Sequence, residues 1–427
     1  MSFVYLLALF FVGLAAVLVL AFLGLIWYVF QRPLAQVKGE LTLSELESVV
    51  EIVRDRWGVP HVYADAEHDA YLAQGFLHAQ DRLFQMEYAR RLGRGTMAEV
   101  FGPSALEADR WSRVIGFWRS ALLDLTQLSE TELAALRAYA AGVNAFIQAS
   151  GLRRPAEFTV LGIKPQAWTP EDSLAVFKVL GWALSQNWES EVLRAQLMQY
   201  LGPERLLELE PDYPAGSPVI VPAKGSPAGL EDLTTLAGRM AESYQAAALW
   251  FGRAAGVGSN NWVISGDRTA TRYPLLANDP HLTVSMPTLF YQNHLVVQGD
   301  KLQVTGASLP GVPGVIIGHN ARIGWGVTAG RADTQDLFLE QPHPEEPVSF
   351  RFNDQWEVAA VLQEEIAVFG RQEPHVEEVV ITRHGPLVNG LLSRLSMGGE
   401  IAPTPDLPHL ALRWTGQEPS TSLRGLL

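Results

Sequence analysis

The chain opens on an unbroken apolar run. Phe3 to Phe30 contains no charged residue. At ~1.5 Å of rise per residue it is longer than the ~20 residues that cross a bilayer. Trp27 and Tyr28 stand where interfacial aromatics belong. A cleaved signal peptide has a basic leading region and a shorter apolar core. Neither is present, so the segment 1–32 reads as an uncleaved membrane anchor through residues 3–30. Arg32 and Lys38 follow it, and the positive-inside rule taken alone puts the body in the cytoplasm. Gln31 to Leu41 reads as a linker.

After the linker the pattern shortens to strand length. Ser48–Arg54 and His61–Ala64 predict two strands around a turn at Gly58-Val59-Pro60. Leu72, Phe76, Ala79, Leu83 and Met86 then recur at helical steps, and Gly93 is the expected stop. Ser129 with Glu132 forms a capping box, opening a helix with the stripe Leu133, Leu136, Ala140, Val143 and Ile147. Thr169-Pro170-Glu171-Asp172 opens a third helix: a cap, a proline at the first helical position, then acids at the positive end. It is expected to break near Asn187 and to run to Gly202.

Past Pro211 the periodicity fades. Tyr213 to Leu230 is rich in Pro, Gly, Ala and Ser and reads as an exposed connector, and Leu233 to Phe251 as a loose helix. From Asn261 the pattern becomes strand-like: Asn261–Ser265, Leu289–Val297, Leu302–Thr305, Val315–Ile317, Leu337–Leu339 and Leu410–Trp414. The first half is thus mainly helical and the second mainly β, which makes the fold class α+β. No internal repeat is present. Thr415 to Leu427 stops without a capping element, as the interior of a longer chain would.

Composition narrows the function classes. Of 427 residues, 48% are hydrophobic and 18% charged, enough apolar material for a sizeable core. The formal net charge of -14 argues against a nucleic-acid partner, which needs clustered Lys and Arg. There is no cysteine, so disulfides, thiolate metal sites and a cysteine nucleophile are excluded. His-Glu-x-x-His and Gly-x-Ser-x-Gly are both absent, which disfavours a zinc protease and an α/β-hydrolase elbow.

One local feature carries chemistry: Gly256-Val257-Gly258-Ser259-Asn260-Asn261-Trp262-Val263. A glycine-bearing connector runs straight into a polar pair and a strand. Glycine before serine permits a strained turn. There the Ser259 hydroxyl can attack the preceding carbonyl, and hydrolysis of the resulting ester frees an N-terminal serine. Its own α-amine, with a pKa near ~7.7–8.0, then serves as base for its Oγ. The plainer alternative is a loop-to-strand junction with an Asx-type cap.

Several blocks in order resemble the penicillin-acylase family of N-terminal-nucleophile hydrolases. They are Asp55–His61, Gly75–Met86, Gly258–Gly266, Leu276–His281 and Gly318–Gly330, and the likeness extends from about Val49 to the chain end. The resemblance implies a four-layer αββα sandwich and amide hydrolysis through an acyl-enzyme. Ser259 matches the nucleophile and Gly258-Ser259 the self-cleavage bond. His281 matches a residue that orients the serine, and Ala329 one whose backbone N–H forms half of an oxyanion hole. The other half is a downstream asparagine side chain without a match before Leu427. Glu191, Asp333 and Asp336 match ligands of a structural calcium, one further ligand falling past the present end. Read without the resemblance, the two aspartates are an ordinary acidic loop. No organic cofactor is implied.

Trp182 and Trp188, with Met286, Phe290 and Tyr291 opposite, are acyl-pocket candidates. His61, His78 and His319 read as structural hydrogen-bonders. The expected layout is a transmembrane anchor or signal segment (1–32), a mainly helical region (33–212), a connector cut or removed on processing (213–258) and the first part of the nucleophile domain (259–427). Expected partners are a small N-acyl amide substrate and, after cleavage, the other half of an α/β heterodimer. The resemblance places the body outside the cytoplasm, against the charge rule. Rival readings are an acyl-homoserine-lactone acylase and a non-catalytic, membrane-anchored binding protein on the same scaffold.

Overall fold

The structure, a computed structural model, describes residues 3–151, 153–185, 187–209, 240, 243–245, 247–248, 250–251, 258–299, 302–330, 332–392 and 409–427. The expected connector Tyr213 to Leu230 lies outside these residues. Of the expected helix Leu233 to Phe251, the described residues are helical.

Helix α1 (Phe3–Ile26) runs into a π-helical turn at Trp27–Gln31. Leu7–Gln31 is long and apolar enough to cross a membrane, and its most apolar stretch is unburied. Strands β1 (Glu51–Arg54) and β2 (Pro60–Ala64) pair antiparallel around Gly58, whose φ of +82° suits a residue without a side chain. Helix α2 (Glu67–Arg94) follows. Gly93 lies inside it and packs on Ala175, where a Cβ would meet the alanine Cβ at 3.0 Å. The stop is Gly95, at φ +64°, because the cap needs the left-handed conformation.

The pattern predicts nothing for 98–125, yet three helices fill it: α3 (Ala98–Phe101), α4 (Leu106–Ile115) and α5 (Phe117–Leu125). Helix α6 (Glu130–Ser150) starts at the predicted capping box, with both reciprocal bonds made. It lies against α2 so closely that a Cβ on Gly75 would sit 2.1 Å from the Tyr139 carbonyl oxygen, and one on Gly142 only 1.8 Å from that of Leu72. After α7 (Ala156–Leu161) come α8 (Pro170–Ser185) and α9 (Trp188–Leu209), separated at Asn187 as expected. Gly202 kinks α9 rather than ending it.

The second half is strand. A hairpin of β3 (Ser259–Ile264) and β4 (Leu275–Pro280) stands apart from the main sheet. That sheet adds β5 (Tyr291–Val297), β6 (Leu302–Ser308), β7 (Ile317–Asn320) and β8 (Gly324–Trp325) to β1 and β2, in the order β1-β2-β5-β6-β7-β8. Only β2 and β5 pair in parallel. Val315, expected in a strand, is instead a buried loop residue beside α2. Strand β9 (Gln335–Glu340) pairs with the chain-terminal β14 (His409–Trp414), and two hairpins lie between them: β10 (Ser349–Phe352) with β11 (Gln355–Val358), and β12 (Ala360–Ile366) with β13 (His375–Ile381).

One face of the main sheet is dry: Val62, Leu295 and Val304 pack on Ala73 and Leu77 of α2. A second core is aromatic. Trp111 stacks on Trp188 at 5.8 Å, and Phe117, Trp182 and Trp414 meet edge to face at 5.3–5.9 Å. This cluster seats the α8–α9 break against β9 and β14, and so fixes the acidic loop before β9.

Candidate active site

Ser259 begins β3, and the hairpin register sets its surroundings. It faces Pro280, while Asn260 faces Asp279 and Asn261 faces Asn278. The Gly258 carbonyl, at the bond expected to be cut, accepts a hydrogen bond from the His281 backbone N–H at 2.9 Å. The side chain of His281 turns elsewhere. Its Nε2 lies 2.8 Å from Asp279 Oδ2 and 3.4 Å from Asn260 Nδ2. Among the described residues no hydrogen bond joins Ser259 to the His281 ring. Strand alternation explains this, because residues 259 and 280 point to one face and 260 and 279 to the other.

Asn278 ties this hairpin to the segment carrying Ala329. Its Nδ2 donates to the Asn260 carbonyl at 2.9 Å and to the Val327 carbonyl at 3.1 Å, and its Oδ1 accepts from the Val327 N–H at 3.0 Å. Gly326 allows this approach, since a Cβ there would meet that of Asn278 at 2.8 Å. Ala329 itself is exposed, two residues beyond Val327. Asn278 and Asp279 sit inside the block Leu276–His281, from which the sequence reading singles out only His281. The signal for both is register: each faces a residue of the Ser259 strand.

Glu191, Asp333 and Asp336 come together although about a third of the chain separates the first from the others. One oxygen from each lies within 4.8 Å of the others. Asn187 at the helix break builds the site. Its side chain donates to Asp333 Oδ1 at 2.6 Å and to the Gln335 carbonyl at 3.0 Å, and its backbone N–H reaches Gln335 Oε1 at 3.1 Å. Glu191 accepts from the Leu337 N–H at 3.1 Å. Asp336 Oδ2 is buried with no partner among the described residues. Burial, with the charges of Asp336 and Asp333, pushes the Glu191 carboxyl up to about 8; burial and then Asp333 raise Asp336. Crowded carboxylates with an orphaned oxygen fit a hard divalent cation, whose ~2.3–2.6 Å bonds span such separations.

The pocket candidates are not brought together. Trp182 and Trp188 are 1% and 0% exposed, in the interior of the aromatic cluster, whereas Met286 is 94% exposed. Phe290 is half-buried. Tyr291 is buried, donates to Asp81 Oδ2 at 2.6 Å and stacks edgewise on His78. Asp81 in turn holds Arg54, so this tyrosine serves a polar network between β1, α2 and β5.

The penicillin amidase family model matches residues 49–427. Penicillin acylase 2 proenzyme of a Pseudomonas species is 38% identical over 362 residues, 84% of this chain. Acyl-homoserine lactone acylase QuiP of Pseudomonas aeruginosa is 34% identical over 391 residues, 91% of this chain. Penicillin G acylase of Escherichia coli is 29% identical over 397 residues, 81% of this chain. The chain spans about half the length of these relatives, 46% of each. Its match runs from the first strand of the main sheet through the Ser259 hairpin to the last residue, and the chain belongs to the penicillin amidase family.

Proposed function

We propose that the protein of which this chain forms part is an amidohydrolase that makes its own N-terminal nucleophile. The observation that carries the reading is the hydrogen bond from the His281 N–H to the Gly258 carbonyl, beside Ser259. A donor already on that oxygen stabilises the charge it gains when Ser259 Oγ adds to the carbonyl carbon. The C–N bond then breaks, leaving an ester on Oγ and a free α-amine on Ser259. Water hydrolyses the ester. In turnover the α-amine takes the Oγ proton, Oγ attacks the substrate amide, the amine product leaves with a proton, and water releases the acid. Ala329 is read as an oxyanion donor. His281, held by Asp279, orients the α-amine end of the strand.

The αββα sandwich, the anchored extracytoplasmic body and the α/β heterodimer belong to the same reading. So does a calcium ion held by Glu191, Asp333 and Asp336, which would supply structural charge neutralisation between the helical half and β9. The substrate is an N-acyl amide. An acyl-homoserine lactone remains the second candidate, supported by 34% identity over 91% of the chain to an acylase of that class. Trp182 and Trp188 are assigned to packing in the aromatic core, and Met286 and Phe290 stay the candidates for acyl contact.

Mass spectrometry of the full-length protein tests the reading. A C-terminal subunit starting at Ser259 is expected, and Ser259→Ala is expected to leave one uncut chain. Cleavage of the alanine variant at the same bond would mean that another protease makes the cut.

A further inference from the structure

The face of the main sheet turned away from α2 carries a row of polar residues. His61 on β2 is the register partner of His294 on β5; His294 faces Thr305 on β6, and Thr305 faces His319 on β7. The first two rings meet: His61 Nδ1 and His294 Nδ1 are 3.0 Å apart, with ring planes at 89°. Both residues are half-buried, held in place by adjacent strands rather than by a loop. Tyr63, next on the same face of β2, closes one side with its ring 6.4 Å from that of His294.

Two imidazole nitrogens this close share a single proton or a single cation. Zinc–imidazole bonds of about 2.0–2.1 Å place two nitrogens roughly 2.9 Å apart at a right angle and roughly 3.4 Å apart at the tetrahedral angle. The observed 3.0 Å falls in that interval without movement of either strand. Imidazole donors select zinc, copper and nickel over calcium or magnesium. Burial, then His61 and His319, lower the proton affinity of His294. The one Nδ1 proton of the pair moves to Nε2 of its ring on binding, so no net proton is released.

We propose that His61 and His294 form a binding site for a borderline divalent transition-metal ion, zinc being the representative, that clips strand β2 to strand β5. His319 is a spectator. With strands about 4.8 Å apart, two strand spacings separate it from His294 by roughly 10 Å. The site is distinct from the acidic cluster, which offers only oxygen ligands. Its consequence rests on the processing reading: a cut before Ser259 leaves His61 and His294 on different chains, so the ion becomes a cross-link between the two products.

The test uses the full-length protein stripped of metal by a chelator. Zinc chloride is titrated in competition with a chromogenic chelator, and copper(II) is examined by electron paramagnetic resonance. His61→Ala and His294→Ala are each expected to weaken zinc binding at least tenfold and to remove the two-nitrogen hyperfine pattern of copper. His294→Asn, which keeps a polar group on the strand, should do the same, and far-UV circular dichroism without metal verifies that each variant is folded. His319→Ala and His281→Ala should leave binding unchanged. Equal zinc affinity in wild type and the His61→Ala, His294→Ala double variant overturns the site. So does a loss that follows His281, whose ring also has a carboxylate neighbour. In processed protein, zinc should raise the temperature at which the two products separate, and His294→Ala should abolish that rise. If the chain proves uncut, the processing reading fails while the titration still decides the metal site.

Discussion

Asn278 and Val327 are joined by two hydrogen bonds, with the side-chain amide of one reading both backbone polar groups of the other at 3.0 and 3.1 Å. The same amide holds the Asn260 carbonyl, next to Ser259. One side chain thus sets the distance between the strand that Ser259 opens and the segment that leads to Ala329.

Asn278→Ala should therefore impair chemistry more than folding. Each exposed hydrogen bond contributes about 1 kcal/mol, whereas a displaced oxyanion donor costs up to ~10²–10³ in rate. The expected result in full-length processed protein is at least a tenfold fall in kcat/KM on a chromogenic N-acyl amide, with a melting temperature within a few degrees of wild type. Gly326→Ala should give the same phenotype from the other side, because its Cβ pushes on Asn278. Unchanged turnover in both variants would sever the hairpin from the oxyanion site.

The acidic cluster predicts a calcium-dependent stability with a definite pH course. Burial, with the charges of Asp336 and Asp333, holds the Glu191 carboxyl up at about 8 in the fold, above the ordinary 4.5, so the folded state binds the extra proton in that window. Stability without cation is then greatest below about 4.5 and declines as pH rises through about 8. Calcium, which needs the ionised carboxylates, should abolish that decline. Thermal melts in calcium and in chelator across pH 5–8.5 measure it. The gap between them should widen with pH and should collapse in Glu191→Gln and in Asp336→Asn.

His78 predicts the opposite behaviour in acid. Its Nδ1 lies 2.7 Å from Tyr139 Oη and its Nε2 2.8 Å from Ser308 Oγ. Ser308 donates to the Tyr291 carbonyl, so His78 Nε2 donates to Ser308 and Nδ1 accepts from Tyr139. Burial, and then Arg82, push its pKa down to about 3 from 6.5. Between those values the unfolded chain binds the extra proton, so stability falls as pH drops, by about 1.4 kcal/mol per pH unit from this group. Urea denaturation of His78→Gln at pH 4, 5, 6 and 7 should show lower stability at pH 7 and a shallower acid slope. A parallel pair of pH curves would mean that His78 is not the group responsible.

The apolar helix α1 allows a test of topology. If the body is exported and tethered by α1, protease added to intact cells should digest it and leave a membrane-embedded stub near residue 32. Full protection would place the body on the side that Arg32 and Lys38 favour.

What the sequence by itself determined is what short-range physics decides. The helical stripe of α2, the Ser129–Glu132 capping box, the break at Asn187 and a strand from Asn261 all follow from neighbours within a few residues, because caps and periodicity act over one or two turns; the strand itself begins two residues earlier, at Ser259. Ser259 stands out by its local glycine-serine motif, whereas His281 and the acidic trio are singled out only because several blocks resemble one family. Tertiary structure alone decided the rest. Trp182 and Trp188 look like pocket aromatics along the chain, yet Trp111, Phe117, Tyr244 and Trp414 enclose them, and those partners are distant in sequence. Gly93 and Gly95 are equally good stops on paper; the close approach of Ala175 and a backbone at φ +64° separate their roles. His61 and His294 read as two unrelated histidines until the parallel pairing of β2 and β5 brings their nitrogens to 3.0 Å. Pairing register couples positions far apart in the chain, and no local pattern encodes it.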